Sequence, residues 1–154
     1  MNTQLRQLLT QSEGRFMTDA ETAAMRGWAV GMTARLECAR RVEAAEDRLA
    51  AAITEAFMGR AADQRDRDHA EAKTDRDVRL TLRYLALGHV RDDLPWFRTA
   101  FAEWIGEMFR SLAPPETLAA LGDAMRAAID EHLDPMDSRA LRPYLDCFDA
   151  ELRR

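Results

Sequence analysis

The chain has 154 residues, of which 47% are apolar and 32% charged, with a net charge of −5. That length suits one globular unit, and the apolar share is enough for a buried core, which excludes a mainly disordered chain. The acidic balance excludes general phosphate-backbone binding, no apolar run is long enough to span a membrane, and two cysteines make no disulfide framework. The N-terminal segment has no signal-peptide core, so a cytoplasmic, soluble protein is expected.

The patterning is helical nearly throughout, with no alternating β-branched run bounded by turns, so the expected fold class is all-α. A first helix spans about residues 2–12, with Leu5, Leu8 and Leu9 on one face, and stops at Gly14. Thr18 and Glu21 have the spacing of a capping box. The alanine-rich stretch from there to Phe57 is very long for one helix and is expected to bend near residues 37–41. Residues 58–68, rich in Gly, Arg, Asp and Gln, read as a break, after which helical periodicity resumes by Ala72 and reaches Val90. Asp92-Asp93-Leu94-Pro95 and Pro114-Pro115-Glu116 each read as a helix start. Asp134-Pro135 ends the second of these, and a last helix carries residues 144–152, with Pro143 blurring its start. The sum is six or seven helices in a single domain over residues 1–154.

The segment 73–90 is the most informative. Val78, Leu82, Leu85 and His89 fall on one side of its helix, as a core face should. Leu80, Tyr84 and Leu87 lie almost opposite, flanked by Arg76, Arg79 and Arg83 on one edge and Asp77 on the other. A second apolar stripe needs a cover: another helix, a partner chain, or a flat ligand with charged ends. Guanidinium groups match carboxylates in a bidentate way, and Asp77 would accept hydrogen bonds from ligand N–H groups. The competing reading is a solvated helix laced with ion pairs. Trp96, Phe97, Phe101, Trp104 and Phe109 follow closely, either as core or as an apolar wall for a planar π-system.

These segments resemble the phycobiliprotein subunits, bilin-binding members of the globin superfamily. SEGRFMTDAE is similar to a GRFLS-x-x-E segment, Ala61-Ala62-Asp63-Gln64-Arg65 to A-A-D-Q-R, and Lys73-Thr74-Asp75-Arg76-Asp77 to K-C-A-R-D. Pro143-Tyr144-Leu145-Asp146 is similar to the family's last helix. The resemblance implies a globin-like domain with an N-terminal helical extension and turn over residues 1–17. It implies that Arg76 pairs with a bilin propionate and Asp77 with the pyrrole nitrogens, that Lys73 and Arg83 are further propionate contacts, and that Phe97 sits near the pigment. The attaching cysteine is replaced by Thr74, whose hydroxyl cannot add to a vinyl or ethylidene group as a thiolate does. Within the family the chain therefore resembles the non-antenna branch, the bilin biosynthesis-associated globins, better than the light-harvesting subunits.

The expected cofactor is a bilin, biliverdin or a reduced derivative, held non-covalently by Lys73, Thr74, Arg76, Asp77, Leu80, Arg83, Tyr84, Phe97 and Trp104. The expected role is carriage, storage or sensing beside heme oxygenase or a bilin reductase, without catalysis. A homodimer through the N-terminal helices is expected, since Leu5, Leu8 and Leu9 exceed what one short helix can bury. The alternatives are a heme globin, which needs one of His69, His89 or His132 as axial ligand, and an apo interaction module.

Overall fold

A computed structural model describes residues 2–59 and 67–154, with residues 67–69 described by their backbone alone. Every regular element among them is helical: α1 (Thr3–Gln11), α2 (Asp19–Val30), α3 (Met32–Met58), α4 (Arg67–Arg91), α5 (Leu94–Phe97), a π-helical turn (Arg98–Ala102), α6 (Glu103–Leu112), α7 (Pro115–His132) and α8 (Pro135–Leu152). The segment Ala61-Ala62-Asp63-Gln64-Arg65 and the side chain of His69 lie outside the described residues.

Local chemistry sets most boundaries. The Thr18 hydroxyl accepts from the Glu21 N–H while the Glu21 carboxylate accepts from the Thr18 N–H, so the capping box forms as read. Asn2 caps α1 through its side-chain oxygen and donates its amide to the Asp92 carbonyl at 3.2 Å. Asp93 serves two helices at once. Its Oδ1 caps α5 at the Trp96 N–H (3.0 Å), and its Oδ2 accepts from the Thr3 N–H (2.6 Å) and hydroxyl (2.7 Å). Burial pushes the Asp93 carboxyl up, but these hydrogen bonds outweigh it and hold its pKa below the ordinary aspartate value. The α1 helix is thereby tied to the corner between α4 and α5.

Three expectations need correction. The alanine-rich stretch breaks at Gly31, and α3 runs straight through residues 37–41 because Cys38, Val42, Ala45 and Leu49 repeat at helical spacing into the core. Across the Gly31 joint, Arg35 Nη2 donates to the Trp28 carbonyl at 2.6 Å. The last helix starts at Pro135 and passes through Pro143. Pro143 and Arg139, whose carbonyl loses its donor, are both exposed, so water can serve that carbonyl. Finally, Leu5 is only 3% exposed, so the α1 face expected to need a partner is covered in part by the chain itself. The helix α2, in contrast, buries none of its residues.

The core lies where α3, α4, α7 and α8 converge on the α5–π–α6 segment. Phe97, Phe101 and Phe148 are its largest fully buried side chains. Gly88 brings α4 close to α8: a Cβ there would lie 2.8 Å from Tyr144 Cδ1 and 3.1 Å from Phe97 Cδ2. On the other flank of α8, Arg41 of α3 pairs with the buried Asp137 through two hydrogen bonds. The site below is built on α4, which this packing holds on several sides.

Candidate functional site

Residues 70, 73, 74, 77, 78 and 81 recur at helical spacing and so share one face of α4. That face forms one wall of an apolar cleft of about 170 Å³. Phe57 closes it at the end of α3, Phe109, Leu112 and Ala113 from α6 and its end, and Leu118, Leu121 and Met125 from α7. Polar groups are few and confined to α4: Lys73, Thr74, Asp77 and Thr81. This is the composition of a small-molecule site, an apolar lining with a few placed polar atoms.

Asp77 is the chemical centre. The residue is 9% exposed, yet only its Oδ1 is engaged, accepting from Arg76 Nε (3.3 Å) and Nη2 (3.2 Å). Among the described residues its Oδ2 accepts no hydrogen bond. The Thr81 hydroxyl donates to the Asp77 carbonyl at 2.9 Å and turns that residue's polar group back onto the helix. The Arg76 side chain is 74% exposed at the cleft's edge, so it keeps donors for a ligand anion. One acidic acceptor in an apolar slot with an exposed guanidinium beside it fits a flat ligand bearing N–H groups and carboxylates.

Over residues 9–152 the chain matches the phycobilisome protein family. It belongs to that family. Its fold is accordingly the all-α, globin-like fold of phycobiliproteins, as the sequence led us to expect. The family binds bilin chromophores, usually covalently. No curated protein matches the chain individually.

The hydroxyl of Thr74, the residue that the sequence resemblance sets at the pigment-attachment position, lies in the cleft 3.9 Å from Met58 Sδ. Neither thiol lines the cleft. Cys38 is buried, and that burial, with Asp137 beside it, pushes its pKa up to about 12. Burial, with Glu151 nearby, also raises the Cys147 thiol. Both thiols are therefore poor nucleophiles at neutral pH.

The structure brings together four of the residues singled out in the sequence: Lys73, Thr74 and Asp77 in the cleft, with Arg76 beside Asp77. It does not bring in the other five. Arg83 turns toward α3 and Glu46. Tyr84 stacks on Phe101 at 4.1 Å and faces Trp96 at 6.4 Å, so another helical segment covers this part of the second stripe. Leu80 is half-buried against the core, Phe97 is fully buried beneath Tyr144, and Trp104 stands 56% exposed on α6. The closing residues from α6 and α7 carry no local signal: Leu118, Leu121 and Met125 read as plain core spacing.

No histidine lines the cleft among the described side chains. His89 instead packs edge-on to Tyr144 near α1, and burial, reinforced by Arg35, lowers its pKa. Among the described side chains, the two features a heme globin would need together, a slot and an inward histidine, thus lie apart.

Proposed function

We propose that this protein holds a linear tetrapyrrole, biliverdin or a reduced bilin, non-covalently in the α4 cleft. It acts as a carrier within bilin metabolism, between heme oxygenase and a bilin reductase, and not as an enzyme or an antenna subunit. The sequence resemblance to the bilin biosynthesis-associated globins supports a role in carriage, storage or sensing of the pigment. The observation that carries the reading is the Oδ2 of the nearly buried Asp77, which accepts no hydrogen bond among the described residues and faces the cleft that Thr74 also lines. Pyrrole N–H groups satisfy that oxygen, Arg76 and Lys73 meet the propionates, and Phe57 and Phe109 border the ring faces.

Retention of two free thiols supports a reducing, cytoplasmic setting. Phe16 is 98% exposed and Val30 83%, on and beside an α2 that buries nothing, which supports a homodimer through the N-terminal helices. Sedimentation at micromolar concentration tests the dimer: a monomer there contradicts it.

Co-expression with heme oxygenase tests the binding mode. A coloured protein whose pigment separates from the chain on acid denaturation is expected. Pigment that stays with the denatured chain contradicts non-covalent binding.

A further inference from the structure

The cleft of about 170 Å³ is smaller than the roughly 300–1,000 Å³ of sites that enclose a small molecule. A linear tetrapyrrole held at Asp77 is continuous and conjugated, so the rings that do not fit must leave through an opening. On one side stand Lys73 and Arg76, charged and suited to propionates. On the other stands Leu112, which lines the cleft and is nevertheless 60% exposed.

From Leu112 an apolar ridge climbs α6 at four-residue spacing to Met108 and Trp104, about 12 Å along the axis. Met108 is partly buried and Trp104 is 56% exposed. Tyr84 stacks on Phe101, whereas Asp77 and Thr81 share the cleft with Phe109. Leu80, half-buried on α4, lies one helical turn from both Asp77 and Tyr84.

We infer that the ridge from Leu112 past Met108 to Trp104 holds the outer rings of the same tetrapyrrole, Trp104 stacking on the last of them. An exposed indole gains contact area and a preferred stacked geometry when a planar ring covers it. The inference rests on the proposed bilin binding and adds the path the pigment takes outside the cleft.

The test titrates biliverdin into the full-length, nitrogen-15-labelled protein and follows the indole N–H signals of its three tryptophans beside the red absorption band. The Trp104 signal shifts as the band grows, and the Trp28 signal stays in place. In parallel, Trp104→Ser and Leu112→Ser each weaken binding about tenfold while the red band still forms at saturation. Leu87→Ser, at another exposed apolar residue, leaves affinity unchanged. A full red band with an unmoved Trp104 signal and wild-type affinity in both variants overturns the inference and leaves the cleft reading standing. Absence of the band in every protein overturns both.

Discussion

Arg83 closes on Glu46 through two hydrogen bonds, Nε to Oε2 at 2.9 Å and Nη2 to Oε1 at 2.7 Å, and so joins α4 to α3. The pairing, with Arg79 adding to it, holds the Glu46 carboxyl below its ordinary value. A guanidinium that the sequence offers as a ligand hook is thus committed to a neighbouring helix. Arg83→Ala is expected to leave biliverdin affinity within about twofold of wild type, whereas Arg76→Ala weakens it about tenfold. Equilibrium absorption titrations of the two variants check the contrast, and equal losses would return Arg83 to the site.

Asp93 predicts an acid-sensitive joint. Its folded pKa lies below that of the unfolded chain, so its stabilisation is complete above about pH 4 and is lost as pH falls through the folded value. Asp93→Ala removes the α5 cap and the α1 anchor and should cost about 2 kcal/mol at pH 7. Urea unfolding at pH 7 and in strong acid measures this: the gap between wild type and variant narrows as the pH drops. A gap that stays constant with pH would mean that the ionised carboxylate is not what holds the two helices.

Gly88 predicts a steric limit. A methyl group there meets the Tyr144 and Phe97 rings, and neither can withdraw, because both are packed in the core. Gly88→Ala should lower stability by about 1–3 kcal/mol despite alanine's better helix propensity. A thermal or urea unfolding curve unchanged from wild type would show that α4 and α8 have more room than the packing implies.

These residues also show what the sequence makes legible. Asp93 before Leu94-Pro95 and Thr18 before Glu21 are short-range signals, and both helices start there. The Lys73 to Asp77 run is equally local, so the α4 wall of the cleft could be read directly. Gly31 takes ordinary helix-side angles, φ −76° and ψ −9°, and so left no mark distinguishing the real joint from residues 37–41. The fates of Arg83 and Tyr84 were hidden for a different reason. Periodicity assigns a residue to a face, but Glu46 and Phe101, which claim those two side chains, come from elsewhere in the chain. Leu118, Leu121 and Met125 become cleft walls only through the packing of α7.

The central claim, that Asp77 anchors a tetrapyrrole in the α4 cleft, is tested most directly by titrating purified protein with biliverdin and recording the visible spectrum. A saturable red-shifted band at one pigment per chain is predicted, lost on Asp77→Asn while the variant's unfolding curve stays close to wild type. A spectrum that remains the sum of free pigment and protein at every ratio would contradict it.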